Sequence, residues 1–204
     1  MGKEWTAEAR RDPYYRMAKQ SGYRARSAYK LKEMNKLFSL FRQGDRVLDV
    51  GAAPGGWSQV ALEIVGPTGL VVGVDLQGME PLPGAIFVKG DVSDAAVVEK
   101  LKGLIHPADC VISDISPDLS GNYSMDQARS IYLSTMALEA ASALLRSGGN
   151  FLTKAFEGED LEELLEAVRG RFHALKRFHP KASRSASSEI YIIGKGFRGR
   201  RRIR

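Results

Sequence analysis

The chain has 204 residues, 44% hydrophobic and 26% charged, which is the balance of an ordinary soluble globular protein with one sizeable core. Its one cysteine, Cys110, excludes an intramolecular disulfide framework and points to a reducing, intracellular setting. No apolar run approaches the roughly 20 residues that span a bilayer, the polar N-terminus lacks the core of a secretory signal, and a net charge of +6 turns attention to anionic partners.

In chain order, residues 1–22 read as a basic, partly ordered segment, with Pro13-Tyr14-Tyr15 as a local anchor. Over residues 23–41 apolar side chains recur at three- and four-residue spacing (Ala28, Leu31, Met34, Phe38, Phe41), which predicts a helix that also carries Arg24, Arg26 and Lys30. A strand at 46–50 then runs into Asp49-Val50-Gly51-Ala52-Ala53-Pro54-Gly55-Gly56-Trp57-Ser58-Gln59 and a helix at 57–65. This is the strand–loop–helix opening of a nucleotide-binding α/β unit, where glycines permit a tight turn and close approach of a ligand. The spacing is Gly-x-x-x-Gly-Gly with Pro54 inside it. That spacing disfavours a dinucleotide pyrophosphate and favours an adenosyl cofactor without phosphates, such as S-adenosylmethionine.

Further strands are expected at 70–74, 85–89, 109–113, 150–153, 172–178 and 190–193, with helices at 93–102, 126–146 and 159–169. The last two strands have no helix between them and should pair antiparallel. Asp49, Asp75, Asp91 and Asp114 each stand at a strand's carboxyl end, the edge where open α/β sheets bind ligands. Asp75 is placed to accept from ribose hydroxyls and Asp91 from an adenine amino group, with Asp114 on the same edge. Any one of them alone would cap a helix or start a turn equally well.

Charge is segregated along the chain. Residues 1–36 carry ten Lys/Arg against four Asp/Glu, residues 37–170 nine against nineteen, and residues 171–204 eleven against one. Two basic ends flanking an acidic nucleotide-type centre point to a polyanion, RNA first, with Arg24, Arg26 and Arg184 as candidate contacts. The alternative is solvated termini that keep the protein soluble.

Five separated blocks in order resemble the FtsJ/RrmJ family of ribosomal RNA large-subunit ribose 2′-O-methyltransferases. They are the 49–59 loop, the strand-end acids, Ser113-Asp114-Ile115-Ser116-Pro117-Asp118, Phe151-Leu152-Thr153-Lys154, and Ser183-Arg184 with Ser187-Ser188-Glu189-Ile190-Tyr191. The resemblance covers residues 23–194 as a single domain and leaves 195–204 as a basic tail. It implies a Rossmann-like class I methyltransferase fold: seven strands, mostly parallel, the last antiparallel, with helices on both faces. It also implies a Lys30–Asp114–Lys154–Glu189 catalytic tetrad with Lys154 as base. Gly51, Gly55, Gly56, Trp57, Asp75, Asp91 and Asp114 would contact S-adenosylmethionine, and no metal is called for. His179, where many relatives carry lysine or arginine, and the arginine-rich tail depart from the pattern. A ribose hydroxyl is a poor nucleophile, so a positioned base suits the chemistry. A lysine serves as one only where burial or a second cation disfavours its ammonium. The expected partner is large-subunit ribosomal RNA, methylated at a uridine by a cytoplasmic monomer. Transfer RNA methylation, a non-catalytic assembly factor and a nicotinamide oxidoreductase are the competing readings.

Overall fold

The computed structural model describes residues 12–183 and 187–199. The elements in chain order are α1 (Pro13–Gln20), α2 (Ala28–Phe38), β1 (Arg46–Val50), α3 (Gly56–Val65), β2 (Leu70–Asp75), β3 (Ala85–Lys89), α4 (Ala95–Ile105), β4 (Ala108–Ser113), α5 (Tyr123–Leu144), β5 (Leu145–Phe156), α6 (Leu161–Arg171), β6 (Phe172–Phe178) and β7 (Glu189–Phe197). The seven strands form one sheet in the order β3-β2-β1-β4-β5-β7-β6. β1 to β5 run parallel, and β7 is inserted antiparallel between β5 and β6. The expected Rossmann-like architecture is therefore the one observed.

Alternation along the strands divides the core in two. Leu48, Val50, Phe151, Ala155, Ile190 and Ile192 face the layer of α4, α5 and α6, among Leu101, Leu138 and Leu164. Val47, Leu152, Tyr191 and Ile193 face α2 and α3, among Leu31, Met34, Val60 and Ala61. Period-two patterning on strands buried on both faces thus accounts for helices on both sides.

Three elements differ from the sequence-based expectation. Residues 13–20, expected as an anchor in a partly ordered segment, form a helix: Pro13 starts it and the Asp12 carboxylate accepts from the N–H groups of Tyr14 and Tyr15. α2 begins at Ala28 rather than residue 23, because Gly22 takes a φ of 73° and residues 24–27 turn to dock on α3. α5 ends at Leu144 rather than residue 146, and Arg146 to Gly149 form an irregularity in the β4–β5 register. Arg184, the N-terminal residues 1–11 and the arginine tail from 200 lie outside the described residues. Among the described residues no helix is long and apolar enough to cross a membrane.

Candidate active site

Sheet topology brings the four tetrad candidates together. Asp114 follows β4, Lys154 lies near the carboxyl end of β5, and Glu189 opens β7. Because β7 is antiparallel, its first residue sits where β5 ends, with Phe156 opposite Glu189 and Lys154 opposite Tyr191. Lys30 reaches the same point from the first turn of α2. Lys30 Nζ lies 2.6 Å from Glu189 Oε2, and Lys154 Nζ lies 3.2 Å from Asp114 Oδ1 and 4.0 Å from Glu189 Oε1. Lys154 also donates to the Asp114 carbonyl at 2.9 Å. Both lysines are buried, at 6% and 5% exposure. Buried ammonium groups persist only when paired, and here two carboxylates serve two lysines.

Two cavities meet at this cluster. One, of about 480 Å³, lies over the carboxyl ends of β1, β2, β3 and β4 and is lined by Gly51, Asp75, Asp91, Asp114 and an apolar wall that includes Val50, Val74, Ile115 and Met136. The other, of about 650 Å³, opens on the opposite side of Asp114 and holds Arg26, Lys30, Lys154 and Glu189. Asp114 and Ser116 line both. Asp75 is held by the N–H groups of Ala53 and Gln77, at 2.9 and 2.8 Å, and Asp91 by that of Ser93 at 2.8 Å. Gly51 has a φ of 77°, and a Cβ there would fall 2.3 Å from the Ile115 side chain, so only glycine leaves that wall intact.

Residues 23–197 match the family model described as FtsJ-like methyltransferase. The chain belongs to this family. It is 48% identical over 203 residues to the ribosomal RNA large subunit methyltransferase E of Methanothermobacter thermautotrophicus, covering 98% of this chain and 96% of that one. The protein of the same name from Methanothrix thermoacetophila is 50% identical over 190 residues, covering 93% and 74%. Among solved structures, a Plasmodium falciparum chain described as a candidate ribosomal RNA methyltransferase superposes with a TM-score of 0.77 at 28% identity, covering 87% of this chain and all of that one. The mycinamycin-pathway methyltransferase MycE, crystallised with S-adenosylhomocysteine, shares the fold at a TM-score of 0.58 and 17% identity.

Within this FtsJ-like frame, Gly51, Asp75, Asp91 and Asp114 line one cavity, but Gly55, Gly56 and Trp57 sit elsewhere. Gly55 and Gly56 abut Arg24 and Ala25; a Cβ on Gly56 would lie 2.9 Å from that of Ala25. Trp57 is buried, donates its indole N–H to the Ser27 carbonyl at 2.9 Å, and lies 6.0 Å from the Tyr191 ring. These three residues hold the entry to α2, and hence Lys30, against the glycine loop.

Arg24 and Arg26, two of the candidate RNA arginines, are engaged within the fold. Arg24 spends its guanidinium on the carbonyls of Pro54, Glu80 and Pro81, at 3.1, 2.7 and 2.8 Å, clamping the glycine loop to the loop after β2. It braces these two loops. Arg26 ion-pairs with Asp12 and donates to the Ala182 carbonyl while lining the larger cleft.

Tyr191 is a member of the site that the sequence reading missed. Its hydroxyl donates to Asp114 Oδ1 at 2.8 Å, and Lys30 Nζ stands 5.5 Å from its ring centroid. Burial, followed by the negative charges of Asp114 and Glu189, pushes its phenol well above the ordinary range, so it stays a donor. Its alternate position beside Glu189 was visible in the sequence; its reach to Asp114, 77 residues away, was not.

Proposed function

We propose that this protein transfers a methyl group from S-adenosylmethionine to a ribose 2′-hydroxyl of large-subunit ribosomal RNA. The observation that carries this reading is the Lys30–Glu189 and Lys154–Asp114 cluster at the junction of two cavities. Names of relatives that match nearly end to end support the RNA class, and the family resemblance supports a uridine as target.

The strand-edge cavity suits an adenosyl cofactor. Two carboxylates on neighbouring strand ends can accept from ribose hydroxyls and an amino group, the walls between them are apolar, and the volume is that of a small-molecule site. When bound, S-adenosylmethionine supplies an electrophilic methyl group on a cationic sulfonium. Asp114 borders that cavity and adds negative charge where the cation would lie. On the other side, Lys154, once its ammonium has given up a proton, is the group placed to take that of the attacking hydroxyl. Asp114 and Glu189 then hold the ammonium so formed. Lys30 and Glu189, paired with each other, orient the ribose by offering a donor and an acceptor. Burial of the cluster keeps bulk water from competing for the methyl group. The basic segments on either side attract RNA to a cytoplasmic, monomeric enzyme.

The test is transfer of labelled methyl groups to large-subunit RNA from cells lacking the gene. Lys154→Met should cut the single-turnover rate by about 100-fold or more, with S-adenosylhomocysteine affinity unchanged by calorimetry. Near-wild-type methylation by Lys154→Met across pH would overturn the assignment of the base.

A further inference from the structure

The larger cleft has a wall that methyl transfer itself leaves unused. Leu119 and Tyr123 are 71% and 57% exposed, yet they line the same cleft as Lys30, Lys154 and Glu189. Phe156, two residues past Lys154 on β5, lines it as well. Large apolar side chains left in water beside a buried polar cluster need a reason.

The wall is built rather than loose. Asp126, buried in the first turn of α5, accepts from Ser120 N at 2.8 Å, Ser120 Oγ at 2.7 Å and Gly121 N at 3.2 Å. Asn122 caps α5 by accepting from Met125 N. The Tyr123 hydroxyl donates to the Glu157 carbonyl at 2.5 Å, anchoring the ring to the end of β5. The outcome is a fixed aromatic ring on a pinned loop, presented to solvent in the cleft that holds the paired lysines.

The tetrad lysines lie at the bottom of that cleft, only 6% and 5% exposed. A ribose held within a stacked, paired strand cannot be brought to them, so the target nucleotide must leave its neighbours. Its base, stripped of stacking partners, then needs an apolar face close to the ribose site, and an aromatic ring meets that need for a planar base.

We propose that Leu119 and Tyr123 form a subsite for the base of the target nucleotide, which lies against the Tyr123 ring while its 2′-hydroxyl faces Lys154. This rests on the ribose-methylation reading above and names the part of the substrate that the same cleft takes.

The experiment compares two ribosomal RNA fragments spanning the methylated nucleotide, one with its natural base and one with an abasic ribose there. Wild type should show a KM about 10-fold or more higher for the abasic RNA, the size expected of one lost stacking contact. Tyr123→Ala should raise KM for the natural RNA by a similar factor of about 10 and no longer distinguish the two fragments, with S-adenosylhomocysteine affinity unchanged. Tyr123→Phe keeps the ring and should stay within about 3-fold of wild type, since it loses only a single hydrogen bond. Equal KM for both RNAs in the wild type, or undiminished discrimination in Tyr123→Ala, would overturn the base subsite and leave ribose methylation standing. No methylation of the natural RNA by cofactor-bound wild type would overturn both.

Discussion

Asp49→Asn has an effect whose sign and size follow directly from the structure. Asp49 lies in β1, fully buried; its Oδ2 accepts from Ser58 Oγ at 2.6 Å, while its Oδ1 has no hydrogen-bond partner among the described residues. Burial pushes its carboxyl from an ordinary 3.8 up to about 7, opposed by the Ser58 bond and aided by the charges of Asp114 and Asp75. The unfolded chain therefore loses this proton near 3.8, and the native state keeps it until about 7. Between those values the native state binds more protons, so stability falls as pH rises. The slope is about 1.4 kcal/mol per pH unit, and the stabilisation present below the unfolded value, about 4 kcal/mol in all, is gone above the folded one. Asparagine has no such proton, and whatever its amide costs in that site does not change with pH. Between pH 5 and 7, with the slope halved as the folded value is reached, the stability of Asp49→Asn relative to wild type should thus rise by about 2 kcal/mol. At about 2–4 °C per kcal/mol for a chain of this size, that is a relative Tm gain of roughly 4–8 °C. Thermal unfolding of both proteins in half-unit steps from pH 5 to 8 reads it. Parallel Tm curves over pH 5 to 7 would mean that Asp49 is already ionised in the native state, and would refute the reasoning.

Lys30→Met removes the 2.6 Å ion pair of Glu189 and leaves Lys154 at 4.0 Å. With Glu189 20% exposed, the loss should be about 1–3 kcal/mol in urea unfolding, below the figure for a fully buried pair, and Lys30→Met combined with Glu189→Gln should restore part of it. Arg24→Ala removes three hydrogen bonds from the loops that border the cofactor cavity. It should weaken S-adenosylhomocysteine binding by about 10-fold and leave the salt dependence of RNA affinity as it was; a flatter salt slope with intact cofactor affinity would restore Arg24 to the RNA surface.

The strand-end acids and Lys154 were legible in the sequence because each stands where an apolar run ends in a charge, whereas Lys30 was named as a site residue through the family resemblance alone. The antiparallel sense of β7 was legible from the short connection after β6, but its insertion between β5 and β6 was not. That order is set by pairing of residues such as Leu152 and Ile193, far apart in the chain. α1 was overlooked because its apolar content is low; Asp12 and Pro13 were the available clues. The bracing role of Arg24 was hidden for a related reason: composition reports that a guanidinium is present, not that three carbonyls from two loops converge on it. Tyr191 and the Leu119–Tyr123 wall depend on side chains that meet only when β4, β5, β7 and α5 are assembled.

Whether the methyl group lands on a ribose hydroxyl is tested most directly by limited alkaline hydrolysis of the methylated RNA. A 2′-O-methyl group removes the nucleophile that cleaves the adjoining phosphodiester. Large-subunit RNA treated with wild type and S-adenosylmethionine should therefore show one new gap in the hydrolysis ladder, at a uridine, and Lys154→Met should leave that band in place. Stoichiometric methyl incorporation with an unbroken ladder would locate the methyl group on a base and contradict the assignment of the Lys30–Asp114–Lys154–Glu189 cluster to ribose chemistry.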